Sequence, residues 1–405
     1  MTQNNRYVRK NAKLSVDSIY ILLFSFYILY SLMNATMFYL YLPNLSGVFR
    51  ILSVLLAVIS LFRNKSITIY YIIWTILIVL SVLFVSIFTN YGNVATIFCF
   101  ILAARSVDFD KIANSFTVIS LFVITVTIIA SQVGIIENLR WHSSTTVGRY
   151  RYGLGFTYPT DFVAIVFFTI CVIIYLNRFR RFQPLLVVAF IAAGIATYEF
   201  CLTRLDSLCI IIATLDYIYL SFRKKNKPIG AIKKILYCST IPLCATISIL
   251  LSVLYDPSVP VFNALNTLLS DRLELGNRAI NRYGFSFFGQ DVFMKGYSAR
   301  SFNVVGDYFY IDCSYLNIAI RYGVVTLVII CGMFMFLSYR QLCDNDVVIP
   351  SILLIIAINS MIAQHFFDGY TNVFIYALLA NISNEEGKRR AFQRKKKIRF
   401  RIKRL

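Results

Sequence analysis

The chain has 405 residues, of which 58% are hydrophobic and only 15% charged, with a mean hydropathy of +0.69. Soluble domains carry roughly 25% charged residues, so this composition excludes a water-soluble protein and leaves lipid as the solvent. Forty Lys and Arg stand against 19 Asp and Glu, and in such a chain basic residues serve first to set topology, ahead of nucleic-acid binding.

In chain order, Arg6, Arg9, Lys10 and Lys13 precede a long apolar run without a small-residue cleavage site. That run reads as an uncleaved first span. Helical spans of about 20 apolar residues are expected at 17–41, 48–62, 67–88, 94–104, 115–133, 160–176, 184–198, 205–221, 235–254, 314–338, 347–365 and 372–383. The expected fold is therefore all-α: one polytopic integral membrane domain over 1–405 with about twelve transmembrane helices. With the N-terminus inside, the inner side holds 29 of the 40 basic residues and, with Asp17 and Asp216 near inner span ends, eight acidic ones, whereas the outer side holds eleven of each. This places both termini in the cytoplasm. The basic tail 384–405 reads as an anchor on anionic membrane lipid, and no nucleic-acid partner is expected.

Ten of the eleven outer basic residues are Arg, the other being Lys295. Topology should strip basic residues from this side, and the type retained offers a rigid fork suited to phosphate and carboxylate. Two outer loops are long, 134–159 and 255–313, and long loops tend to carry function. The first ends in Gly148-Arg149-Tyr150-Arg151-Tyr152-Gly153, followed by Tyr158-Pro159-Thr160-Asp161. Residues two apart on an extended chain point the same way, so Arg149 and Arg151 form either a paired phosphate site or an aromatic–arginine headgroup anchor. The second loop has Leu265, Leu269, Leu273 and Ile280 at helical spacing, which predicts an amphipathic helix on the outer face. On it, Glu274 and Arg278 could form a surface pair. Arg278 and Arg282 form a like-charge pair that an anionic ligand would relieve.

Further outer candidates are Glu199 and Arg204 between the seventh and eighth spans, and Arg321 near the start of the tenth. Arg321 is either functional, as an ionisable residue in the membrane, or paired with Asp312. His365, followed by Asp368, ends the eleventh span. His142 and His365 are the only histidines, and the nine cysteines form no CxxC or Cys/His cluster. No metal site or cofactor is expected.

The segments 151–159 (RYGLGFTYP), 272–279 (RLELGNRA), 283–290 (YGFSFFGQ), 312–316 (DCSYL) and 321–323 (RYG) together resemble Wzy-type O-antigen and capsular polysaccharide polymerases. The resemblance follows motif order and hydropathy along most of the chain, most informatively over about 140–325. The family's first motif often reads His-Pro-Asn where this chain has Tyr158-Pro159-Thr160. Its second often begins Ser-Gly-Arg, against Ser270-Asp271-Arg272 here.

The resemblance implies a GT-C-like, metal-independent, inverting glycosyltransferase of the bacterial cytoplasmic membrane. Donor and acceptor would both be oligosaccharides on polyprenyl diphosphate, and a flippase and a chain-length regulator would be candidate partners. The expected catalytic set is Arg149 and Arg151 on one diphosphate, Arg272 and Arg278 on the other, and His365 as base. Glu199 and Asp161 are further base candidates. Arg204, Arg282, Arg321, Glu199, Tyr152 and Tyr158 would contact substrate. The alternatives are a lipid-linked oligosaccharide flippase and an O-antigen ligase.

Overall fold

The computed structural model describes residues 16–61, 69–105, 107–142, 148–223, 228–301 and 306–382. The basic segment 6–13 and the tail 384–405 lie outside them.

The chain is mostly helical. In order the helices are α1 Val16–Asn34, α2 Ser46–Leu61, α3 Ile69–Phe88, α4 Gly92–Ala103, α5 Phe109–Gln132, α6 Pro159–Leu176 and α7 Pro184–Cys201. They continue with α8 Arg204–Phe222, α9 Ala231–Val253, α10 Pro260–Leu268, α11 Arg272–Tyr283, α12 Ser314–Arg321, α13 Val324–Cys343 and α14 Val348–Ser360. Eight of these (α1, α3, α5 to α9 and α13) are long and apolar enough to cross a membrane; α2, α4 and α14 are shorter apolar helices. The outer faces of α2 and α3 carry exposed apolar residues such as Ile51, Leu55, Ile72 and Ile76. Apolar patches of that extent suit a lipid solvent. The protein is an all-α, multi-pass membrane protein. Helix α6 lies innermost, with Val163, Ile165, Phe167, Phe168 and Cys171 wholly buried.

Three expected spans take a different form. The first helix stops at Asn34, and a 3-10 turn over Met37–Tyr41 follows, capped by the Thr36 side chain on Phe38 N. The run 314–338 is two helices broken at Tyr322-Gly323. Gly323 has φ +93, and a Cβ there would stand 2.7 Å from Gly289 N, so only glycine lets the chain 286–289 press against the break. The described part of the run 372–383 is a wholly buried 3-10 segment, Val373–Leu378, followed by a turn. Its Tyr376 ring packs edge-on to Phe24 at 5.0 Å. Beyond it, Asn381 N donates to Val107 O and Asn381 O accepts from Phe109 N. Non-helical backbone at membrane depth is tolerated only when surrounded by protein, and Val373–Leu378 is wholly buried.

The two long loops meet at one end of the bundle. In the first, strands β1 Arg140–His142 and β2 Tyr150–Tyr152 pair antiparallel, with Trp141 opposite Arg151. The Trp141 indole N–H donates to Tyr297 O of the second loop at 2.8 Å. The single surface helix expected in the second loop is two helices, α10 and α11. They are divided at Ser270 and Asp271, which both hold positive φ (55° and 64°). The apolar face of α11 (Leu273, Gly276, Ala279) is buried. A Cβ at Gly276 would meet Ser252 Oγ of α9 at 2.7 Å and Leu316 of α12 at 2.8 Å. The helix thus lies on protein rather than on lipid.

Candidate functional site

A cavity of about 410 Å³ opens at this end, between α1, α2, α4, the start of α6, the second outer loop and the chain after α14. Its floor begins at α6. Pro159 at the first helical position fixes φ where an N–H would go unused, and Asp161 sits in the first turn. Thr157 Oγ1 donates to Asp161 Oδ2 at 3.1 Å, while Thr157 N is held by Ala35 O of the α1 end. The carboxylate is thereby fixed in direction.

Facing it is His365, in a 3-10 turn beyond α14 and only 3% exposed. Its Nδ1 lies 2.9 Å from Asp368 Oδ2, and its Nε2 lies 3.8 Å from Asp161 Oδ1. A carboxylate on Nδ1 selects the tautomer that protonates Nδ1 and leaves the Nε2 lone pair free. Burial by itself lowers the His365 pKa, but Asp368, Asp161 and Asp206 outweigh it, and the imidazole is held above its ordinary value.

The opposite wall comes from α11. Arg272 Nη1 donates to Leu269 O at 3.0 Å, and its Nε stands 4.0 Å from Asp312 Oδ2. That Nε is buried without a hydrogen bond. Asp312 is pushed above the usual carboxylate range by burial, with Arg272 opposing the shift. Four tyrosines complete the wall. Tyr297 and Tyr308 stack with centroids 4.4 Å apart, Tyr310 donates to Gln364 Oε1 at 2.6 Å, and Tyr158 lies beside Arg151. Flat rings next to hydrogen-bonding carboxylates are chemically suited to hold a sugar. Among the described residues, no three His, Cys, Asp or Glu side chains converge as metal ligands.

The structure divides the sequence-predicted residues. Arg272, His365, Tyr158 and Asp161 line the cavity. Arg149 and Arg151 do point the same way, as their spacing requires, but toward the C-terminal end of α7. Arg149 pairs with the Glu199 carboxylate at 2.8 Å and Arg151 Nε donates to Cys201 O at 3.1 Å. Cations at a helix C-terminus are favourable there, so this pair has a local use. Arg151 keeps one link to the cavity, through Tyr158 OH at 3.3 Å; Arg149 and Glu199 have none.

Arg272 and Arg278 do not converge either. Six residues on a helix turn the two side chains roughly 120° apart, and Arg278 pairs with Glu274 at 2.9 Å on the exposed face. Arg282 is exposed beside the Tyr283 and Phe309 rings. Arg204 is exposed at the start of α8. Tyr152 pairs with Arg140 in the hairpin. Arg321 does not meet Asp312; it donates to Asn317 Oδ1 at 3.1 Å and lies 4.2 Å over Tyr91.

Two cavity arginines were not singled out from the sequence. Arg50 on α2 and Arg300 in the second loop belong to the ten outer arginines, and they line the cavity with Arg272. Their type and their expected outer placement were the available signal; nothing in their neighbours marks them. No family model, curated protein or solved structure matches the chain.

Proposed function

We propose that this protein is a membrane glycosyltransferase that joins polyprenyl-diphosphate-linked oligosaccharide repeat units into a surface polysaccharide, capsular or O-antigen, on the outer face of the bacterial cytoplasmic membrane. The observation that carries this reading is the pairing, in one cavity, of the His365–Asp368 dyad with Arg272 across a tyrosine-lined space. The motif order over 151–323 and the arginines retained on the outer side support it.

In this reading an acceptor sugar hydroxyl attacks the anomeric carbon of the donor glycan from the face opposite its phosphate. The new C–O bond forms as the C–O bond to the diphosphate breaks, and the configuration inverts. The hydroxyl proton passes to His365 Nε2, and Asp368 stabilises the resulting imidazolium through Nδ1. The released diphosphate takes the bonding electron pair. Arg272, fixed at the start of α11, meets its charge with a preorganised donor whose Nε carries no hydrogen bond. Asp161, across the cavity from Nε2, receives a neighbouring hydroxyl of the acceptor.

The shorter helices α2, α4 and α14 and the segment 373–382 complete the membrane crossings in this reading, so both termini lie in the cytoplasm. A GT-C-like architecture follows from the same resemblance.

The test is polymerisation in vitro. Purified protein is supplied with lipid-linked repeat units, and the products are sized on gels. Ladders of increasing length that require His365 and Arg272 are expected. No extension from competent repeat units overturns the proposal. A deletion strain separates the rivals: single-repeat glycans favour the polymerase, loss of all outward glycan a flippase, and unattached long polymer a ligase.

A further inference from the structure

At the end of the bundle away from the cavity, two arginines flank the first turn of α3. Helices α3 and α13 meet there through Phe336, whose ring lies 5.6 Å from Tyr70 and 5.9 Å from Trp74. Arg340 stands one turn beyond Phe336 on the same face of α13. It is half-buried, and its Nη2 donates to Ala377 O of the 3-10 segment at 3.4 Å. On the other side, Arg105, just past α4 and 7% exposed, lies 4.1 Å over the Tyr71 ring. Gly92, at the opposite end of α4, lines the cavity, so the cations lie about 20 Å from it along that helix.

Arg178 shows how the chain neutralises a buried guanidinium: Asp110 meets it at 2.7 Å. Arg340 is treated differently. Among the described residues no carboxylate lies in salt-bridge range of it, and the bond to Ala377 O engages a single N–H of the fork. Withdrawing a cation from water without a counter-charge is costly, and an anion from outside the chain offsets that cost.

The walls beside Arg340 suit a lipid. Ile69, Tyr70 and Ile73 of α3 and Met335 and Tyr339 of α13 are exposed along this stretch. Acyl chains cover such isoleucines, while tyrosines favour the level of the headgroups. A soluble anion gains nothing from those walls. A lipid brings its phosphate to the arginines and its chains to the apolar side chains. A phosphatidylcholine headgroup cancels its phosphate with its own cation, so two arginines select a lipid of net negative charge.

We propose that the groove between α3 and α13 binds one anionic phospholipid, its phosphodiester held by Arg340 and Arg105 and its chains along Ile69, Ile73 and Met335. The site is separate from the cavity and independent of the reaction assigned to it. In the orientation drawn from the basic loops it lies in the cytoplasmic leaflet.

The experiment uses the full-length protein, delipidated in a neutral detergent and titrated with phosphatidylglycerol or with phosphatidylcholine of the same chains. Native mass spectrometry reads the bound lipid. Phosphatidylglycerol is expected to bind at least about fivefold more tightly. Arg340→Gln should abolish that preference and still fold, because it removes no ion pair. Arg340→Lys, which keeps the charge, should lose about half of the preference with the fork. Arg278→Gln, at the other end of the bundle, should bind as the unmodified protein does. Equal binding of the two lipids overturns the proposal, as does a preference undiminished in both Arg340 variants. Loss of the preference in Arg278→Gln as well would reveal attraction by net charge without a site. Displacement of phosphatidylglycerol by glycerol phosphate at the same concentration would overturn the lipid assignment in favour of a soluble anion.

Discussion

His365 Nδ1 lies 2.9 Å from Asp368 Oδ2, three residues further along the same turn. The contact fixes the ring at the cavity wall and leaves Nε2 toward Asp161. In the reading above Asp368 is a positioning residue, acting on the reacting atoms through the imidazole.

A pH profile follows from this pair. A general base must be neutral, so activity is lost as pH falls through its pKa. The carboxylates around His365 hold that pKa above its ordinary value. The rising limb of the pH–rate profile should thus lie above pH ~6.5, the unperturbed histidine value. Asp368→Asn should move the limb toward lower pH and reduce turnover by roughly 10- to 100-fold. An unmoved limb in that variant would assign the titration to another group.

The arginines divide into two groups by position. Arg272→Lys keeps charge and loses the fork, and it should lower polymerisation by about 100-fold. Arg149→Ala and Arg278→Ala each remove one half of an exposed ion pair, worth about 0–1 kcal/mol, and should leave rates within about twofold. The reverse pattern would move the site from the cavity to the exposed arginines at the α7 end and on α11.

Away from the cavity, Arg178 Nη2 meets Asp110 Oδ1 at 2.7 Å, and Tyr175 OH donates to the same oxygen at 2.7 Å. Removing one partner of a buried pair costs about 3–5 kcal/mol. Arg178→Met should therefore lower the unfolding temperature in detergent clearly more than Arg278→Met, measured in the same buffer. Equal shifts would show that the pair contributes little.

Gly323→Ala should be destabilising for a backbone reason. Its φ of +93 costs a non-glycine residue roughly 1–3 kcal/mol, and the added Cβ meets Gly289 N at 2.7 Å. Gly47→Ala, where no atom lies within 4 Å, is the comparison and should unfold near the unmodified temperature.

Topology can be read with a membrane-impermeant maleimide. Cys343, exposed at the end of α13, should label only after permeabilisation. An added cysteine at Asp256→Cys, in the second outer loop, should label in intact cells. The opposite pattern would invert the orientation drawn from the basic loops.

Much of the molecule was legible in its sequence because one quantity, apolar run length, reports on the solvent. Lipid was required, and the long helices followed wherever a run of sufficient length met it. The excess of Lys and Arg, concentrated in alternate loops, was enough to read an orientation. The outer arginines stood out against that same rule. Hydropathy could not tell lipid from protein interior, however. The described part of the run 372–383 is apolar because Phe24 and its neighbours surround it, and it forms a 3-10 segment and a turn rather than an α-helix. Nor could it find the break at Tyr322-Gly323, which is set by the chain 286–289 arriving from elsewhere.

The site divides the same way. Residue type and spacing settled what Arg149 and Arg151 could do together, namely point one way. Only the tertiary structure decided what they meet, which is the end of α7. Periodicity fixes which residues share a face within one element and is silent on which elements meet. So Arg50, Arg272 and Arg300, more than 200 residues apart at the extremes, share one cavity with His365. That grouping depends on helix packing and loop closure, long-range contacts that no local pattern in the chain encodes.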